Sequence, residues 1–276
     1  MNMIIIPIKQ EIQNFLKKNK VNFFFFYKVN YMAYSEELNN YLKNVNFNNK
    51  SIYDIGANEG YMIDFFLNNS KGSEIYGVEP HPSNITILNK KFKNKKVVKI
   101  IHGAVNDYDG DCLIGFEEQE RKNGLKQGHV TDTNNDLDLQ GRDWNKKSIV
   151  KSYKLDKLCE NADIIKMDIE GFEHKLLPQL LINMKNTKTW LIEIHSWEDI
   201  NYHGWTAKKH NKNNDSLNKM IKLFLKNGFN NFVLAKKRNI NKPIDKNIYW
   251  TDIPISSYIK DKKKIYYKVV NLIIKK

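Results

Sequence analysis

The sequence predicts an α/β fold: an open, mostly parallel sheet whose strands alternate with helices and whose carboxyl ends gather at one ligand-binding edge. Three observations lead there. Short apolar runs recur at Ile52–Ile55, Glu74–Val78, Val97–Val105, Ala162–Met167 and Trp190–His195, with helix-spaced segments between several of them. The first run passes straight into a glycine-punctuated loop and then an amphipathic helix. Acids and a histidine, namely Asp54, Glu79, Asp168, Glu193 and His195, stand at or near the ends of these runs. In open α/β sheets ligands bind outside the carboxyl ends of the strands, so all five side chains come to one edge.

The first element is SIYDIGANEG, Ser51 to Gly60. Ile52, Tyr53 and Ile55 supply a buried strand, Gly56 and Gly60 let the backbone turn tightly around Asn58, and Tyr61 to Leu67 open a helix. The order Asp-x-Gly-x-Asn-x-Gly differs from the Gly-x-Gly-x-x-Gly that cradles a pyrophosphate. An acid here, Asp54, repels phosphate but suits a cationic amino group, and it is expected to face the ligand. The second strand ends at Glu79, placed to accept both hydroxyls of a ribose, and Pro80 and His81 follow at once. The same acid also suits a purely structural place at the start of the next helix, which Pro82 and Ser83 open. The third run, Val97–Val105, reads as one strand whose end brings Gly103, Ala104 and Val105 beside the ligand, with small residues leaving room for a flat ring.

ADIIKMDIEG, Ala162 to Gly171, is a fourth strand carrying Asp168 and Glu170 at its end, with Glu173 in the helix that follows. WLIEIH, Trp190 to His195, is a fifth. Glu193 and His195 share a face by the period of two along a strand, and Asp168 comes from the neighbouring strand. These three are the expected catalytic residues, and Asp168 also borders the cofactor. Two chemistries stay open. Asp168, Glu193 and His195 suit a divalent cation such as Mg²⁺ or Mn²⁺, or else His195 or Asp168 is a general base with no metal.

These motifs resemble the FkbM-type methyltransferases, a branch of the class I S-adenosylmethionine-dependent enzymes. The resemblance rests on DIGANEG at Asp54–Gly60, VEPHPSN at Val78–Asn84, GAVNDYDG at Gly103–Gly110, LDKL at Leu155–Leu158, IKMDIEGFE at Ile165–Glu173 and IEIH at Ile192–His195. It implies a doubly wound, seven-stranded Rossmann-like sheet with an antiparallel strand near its end, S-adenosylmethionine as cofactor, and methyl transfer to a hydroxyl, often on a sugar or polyketide. Later segments fit that sheet: a helix over Leu217–Lys226 ended by Asn227-Gly228, then short strands at Phe232–Ala235 and Ile248–Thr251. The expected activity is O-methylation of a sugar or glycan precursor. An RNA ribose 2′-O-methyltransferase and a non-catalytic cofactor-binding protein are the alternatives.

The expected organisation is an N-terminal helical cap over 1–47, a catalytic domain over 48–255 with a polar insert at 117–151, and a basic C-terminal tail over 256–276. Within the cap, Glu11–Lys18 and Ser35–Leu42 have helical spacing. The insert mixes His129, Asp132, Asp136, Arg142, Asp143 and Trp144, and Ser196–Asn214 carries Trp197, His203, Trp205 and His210; both compositions suit a sugar and equally suit a plain loop. In the tail, Ile265, Val269, Val270, Ile273 and Ile274 line up as one apolar helical face. The formal net charge of +14 admits nucleic acid as a partner, yet the lysines are spread evenly, as on a solvated surface. Cys112 and Cys159 lack metal-ligand spacing and point to a reducing compartment. No apolar run approaches the roughly twenty residues that span a bilayer, so the expectation is a soluble, cytoplasmic protein with no transmembrane segment.

Overall fold

The computed structural model describes residues 42, 45–116, 128–130, 146–195, 215–236 and 269–276. The chain divides into two compact units, Met1–Asn44 and Val45–Lys276, and the description below concerns the second. Its strands and helices are β1 (Ser51–Ile55), α1 (Tyr61–Asn69), β2 (Glu74–Glu79), α2 (Pro82–Phe92), β3 (Val98–His102), β4 (Ala104–Asn106), β5 (Gly110–Phe116) and β6 (Gly128–Val130). They continue as β7 (Lys146–Lys154), α3 (Leu155–Leu158), β8 (Ile164–Met167), α4 (Glu173–Leu180), β9 (Thr189–His195), α5 (Asp215–Lys226), β10 (Asn231–Lys236) and β11 (Val269–Lys275).

Among the described residues the main sheet has seven strands in the order β10-β11-β9-β8-β1-β2-β3. Strands β3, β2, β1, β8 and β9 are parallel, and β11 runs antiparallel to both β9 and β10. This is the mostly parallel α/β sheet that the alternating apolar runs predict. The chain steps outward from β1 through β2 to β3, then returns to lay β8 on the other side of β1. That reversal between β1 and β8 is a topological switch point, where diverging loops leave a crevice.

The two faces of the sheet are covered differently. Tyr53, Ile55, Val78, Ile165, Met167, Trp190, Ile192 and Ile194 form one core with Leu155 and Cys159 near α3, Leu176, Leu177 and Leu180 of α4, and Met220 and Phe224 of α5. The opposite face takes α1, whose Ile63 packs so close to Gly77 that a β-carbon there would meet it at 2.6 Å. By register Asp54 pairs with Gly77 and with Lys166, so both polar residues lie on this α1 face. Strands buried on both sides read as largely apolar runs, which is why β1, β2, β8 and β9 stand out in the sequence despite Asp54 and Lys166 within them.

A second sheet, in the order β4-β7-β5-β6, is built from the polar segment after β3. Its small core is Ala104, Cys112, Ile114 and Val150, with Phe116 packed against it. The single strand expected over Val97–Val105 is therefore two strands in two sheets. The break falls at Gly103, where a β-carbon would sit 2.6 Å from the Lys151 carbonyl oxygen. The insert is also shorter than expected, because Lys146–Lys154 is strand β7, paired along Gly110–Phe116.

The C-terminal expectation needs a larger correction. Residues Val269–Lys275, expected on an apolar helix, form strand β11 in register with β9 from Val269↔His195 to Lys275↔Thr189. Consecutive residues Ile273 and Ile274 are both buried, at 2% and 0% exposure. A helix stripe and a doubly covered strand give similar apolar runs, and the β-branched Val269, Val270, Ile273 and Ile274 favour the strand. The helix over Asp215–Lys226 and the strand at Asn231–Lys236 match the sequence reading. The strand expected at 248–251, the helices before residue 42 and the aromatic segment 196–214 lie outside the described residues.

Candidate active site

The loop between β1 and α1 is set by backbone geometry. Gly56 and Gly60 have φ of 77° and 79°, and Asn58 has φ of 50°. Asparagine tolerates this left-handed region better than most side chains. A β-carbon on Gly56 would lie 2.0 Å from the carbonyl oxygen of Asp168, and one on Gly60 would strike Leu88 and Phe92 of α2. The loop is thus pressed between the end of β8 and helix α2. Its entry is fixed by the Gly56 and Ala57 N–H groups, which both donate to the Val78 carbonyl at 2.9 and 3.0 Å.

Asp54 does not face outward from the loop. Its side chain is fully buried and pairs with Lys166 Nζ at 3.1 Å, and the lysine side chain is 8% exposed. Burial pushes the Asp54 pKa upward while the Lys166 ammonium pulls it back. The contact expected between Asp54 and a cationic amino group is therefore replaced by an internal ion pair. The sequence reading missed Lys166, whose pairing with Asp54 depends on the parallel register of β1 and β8.

Glu79 takes the structural place expected of it at the start of the next helix. Oε2 accepts the Asn58 N–H at 2.8 Å, while Oε1 accepts the His81 N–H at 2.8 Å and the Asn84 side-chain amide at 3.3 Å. The carboxylate ties the glycine loop to the turn before α2 and is 4% exposed. Burial raises its pKa, and the His81 and Asn58 amides oppose that rise. His81 caps α2, its Nδ1 accepting from the Ser83 N–H at 3.1 Å. Its ring lies 4.8 Å from Phe116, so the second sheet reaches this corner of the site. Phe116 is a second neighbour that the sequence gives no means of placing. Pro80 stands one residue beyond Glu79, and its carbonyl lies 3.2 Å from His102 Nε2. The room expected at Gly103 is taken by the Tyr153 ring, and Ala104 and Val105 are buried at 4% exposure each in protein cores.

Across the switch point, the Asp168 N–H donates to the Ile55 carbonyl at 3.0 Å, which locks the end of β8 to the end of β1. Met167 is in register with Ile192, so Asp168 and Glu193 follow as neighbours on adjacent strand ends. The turn after Asp168 places Glu170 at φ 55° and Gly171 at φ 102°. Glu173, fully buried, closes that turn by accepting the Gly171 N–H at 2.9 Å, and its other oxygen lies 3.8 Å from His174 Nε2. His195 ends β9, in register with Val269, and its side chain lies outside the described residues. Among the described residues no group of three or more His, Cys, Asp and Glu side chains is arranged to hold a metal ion.

The glycine loop stands at a topological switch point, the place where open α/β sheets bind ligands, with the buried acid Asp54 behind it and the strand-end carboxylate Glu79 one strand over. Both Glu79 oxygens are held by protein donors and Glu59 Oε2 accepts the Tyr61 hydroxyl at 2.9 Å, so the loop is backed by buried acids. The match to known families agrees. The methyltransferase FkbM domain matches residues 54–230 of the 276-residue chain. The chain belongs to this family.

Among curated proteins, the ribosomal RNA small subunit methyltransferase A of Mesomycoplasma hyopneumoniae (strain 232) is 32% identical over 117 residues, covering 42% of this chain and 36% of that protein. The chain thus matches only about a third of the length of that relative. Two solved structures show weaker likeness, each at 10% identity over 87% of this chain. A putative S-adenosylmethionine dependent methyltransferase from Listeria monocytogenes gives a TM-score of 0.44 over 98% of its own chain. Aeropyrum pernix fibrillarin with natively bound S-adenosyl-L-methionine gives 0.42 over 73% of its own chain.

Proposed function

We propose that this enzyme transfers a methyl group from S-adenosylmethionine to a hydroxyl of a sugar or glycan precursor. The observation that carries the reading is the junction of β1 and β8, where the Asp168 backbone is bonded to Ile55 and packed on Gly56. A group able to take a proton thereby stands beside the loop that holds the donor. S-adenosylmethionine supplies an electrophilic methyl group on a positively charged sulfur. Gly56, Asn58 and Gly60 shape its cradle, Glu79 and His81 border its nucleoside, and Asp168 closes the side next to the acceptor. A hydroxyl is a poor nucleophile while protonated, so Asp168, Glu193 or His195 takes its proton as methyl transfer proceeds. The pair of unbridged, buried cysteines supports a reducing, cytoplasmic setting for this reaction.

The partial likeness to a ribosomal RNA methyltransferase and the net charge of +14 favour a second reading, methylation of RNA. One experiment separates the two. Incubation with methyl-labelled S-adenosylmethionine should label a glycan or sugar nucleotide and leave RNA and protein unlabelled. Labelling of RNA at physiological salt, undiminished by added glycan, overturns the proposal. Chelation then separates the routes of proton loss: loss of activity restored by Mg²⁺ or Mn²⁺ indicates a metal at Asp168, Glu193 and His195, and full activity in chelator indicates a side-chain base.

A further inference from the structure

The donor loop is gripped from outside by two lysines, neither of which the methyl-transfer reading uses. Lys166 Nζ lies 3.1 Å from Asp54 and donates to the Gly56 carbonyl oxygen, also at 3.1 Å. Lys91, on α2, donates to the Glu59 carbonyl at 3.0 Å and reaches the Gly60 carbonyl at 3.4 Å. It also pairs with Asp64 of α1 and lies 5.1 Å from the centres of the Tyr61 and Phe92 rings.

These contacts fall on particular peptide planes. In a trans peptide the C=O and the following N–H point in opposite directions, so holding both ends fixes the plane. The Gly56–Ala57 peptide has its carbonyl on Lys166 and its N–H on Val78. The Glu59–Gly60 peptide has its carbonyl on Lys91 and its N–H on the Ala57 carbonyl at 2.8 Å. Glycine-rich backbone has the widest freedom to flip such planes, and these are the planes the two lysines hold.

The charge arrangement makes the grip compatible with a cationic donor. A lone ammonium behind the loop would repel a sulfonium, but each lysine carries its own aspartate, Asp54 for Lys166 and Asp64 for Lys91. The bonds to the carbonyls are charge-assisted while the net charge behind the loop stays near zero. The fully buried Asp54 then has a defined part: it neutralises Lys166.

We propose that Lys166 and Lys91 are positioning residues that hold the donor loop in its binding conformation, acting as two lysine–aspartate clamps on the carbonyls of Gly56 and of Glu59 and Gly60. The proposal rests on the reading of this loop as the S-adenosylmethionine site. Its test compares wild type, Lys166→Met and Lys91→Met, each shown to melt cooperatively. Calorimetry with S-adenosylhomocysteine should show affinity falling about tenfold or more in each variant, the effect of a lost charge-assisted bond. In steady-state assays KM for S-adenosylmethionine should rise while kcat at saturating donor stays within about twofold. Hydrogen exchange on the cofactor-free proteins should show faster exchange of the Ala57 amide in Lys166→Met and of the Gly60 amide in Lys91→Met.

Unchanged affinity and unchanged loop exchange in both variants overturn the clamps, as does a fall in kcat with KM intact. If Lys166→Met does not fold, the partly exposed Lys91 decides the matter alone. A wild-type protein that binds neither the donor nor its product overturns the donor-site reading, and the clamps fall with it.

Discussion

Replacing Gly56 by alanine tests the junction on which the site depends. Two costs add at this position. Its φ of 77° lies in the left-handed region, which costs an alanine about 1 to 2 kcal/mol. The new β-carbon would also sit 2.0 Å from the Asp168 carbonyl oxygen, so the ends of β1 and β8 must separate by well over an ångström, an overpacking cost of about 1 to 3 kcal/mol. Gly228 supplies the control, because its φ is 82° and a β-carbon there meets nothing within 4 Å. Gly228→Ala carries only the first cost. Each kcal/mol shifts the melting temperature by about 2 to 4 °C in domains of this size. Gly56→Ala should therefore melt several degrees below Gly228→Ala, and it alone should lose affinity for S-adenosylhomocysteine and turnover, because Asp168 moves with the loop. Equal melting temperatures, or full activity in Gly56→Ala, would refute the claim that this contact couples the donor loop to Asp168.

Further outcomes follow from the same geometry. Glu79→Ala removes the acceptor for the Asn58 and His81 amides and should weaken S-adenosylhomocysteine binding about tenfold or more by calorimetry. Asp168→Ala and Glu193→Ala should suppress turnover while leaving cofactor affinity within a fewfold; wild-type turnover in both would mean that the reacting edge lies elsewhere. Burial pushes the Cys112 thiol up to about 11 and raises Cys159 as well, so at pH 8 both stay protonated in the folded state. Neither should react with Ellman's reagent at pH 8 until denaturant is added. Rapid labelling of the native protein would contradict their burial.

The sheet was legible in sequence wherever a strand is covered on both faces. Ile52–Ile55, Ile164–Met167 and Trp190–Ile194 are dominantly apolar runs, each broken by one charged residue (Asp54, Lys166 and Glu193), and the pattern places both the strands and their carboxyl ends. The same kind of run misled at Val269–Lys275, because an apolar run does not state its period. Gly103 was a warning in the third run, since a strand-interior glycine often marks a bend. The site was legible in its backbone and less so in its partners. Gly56, Asn58 and Gly60 announce the turn. That Asp54 would be consumed by Lys166 depends on two strands lying side by side in one register, which no local spacing encodes. Phe116 beside His81 depends likewise on a second sheet assembled from distant segments.

The placement of β11 sets an order of events for the growing polypeptide. Among the described strands, β9 and β10 are joined only through β11, which is synthesised after both. Until residues 269–275 emerge, β9 presents a bare apolar edge and β10 has no neighbour to pair with. Exposed edges of that kind recruit other chains. The nascent chain therefore passes through a stage in which β1 to β3 with α1 and α2 can already be assembled while the other half is adhesive. Shortened versions ending before residue 269 should accumulate in inclusion bodies or on chaperones even though every residue around the donor loop is present.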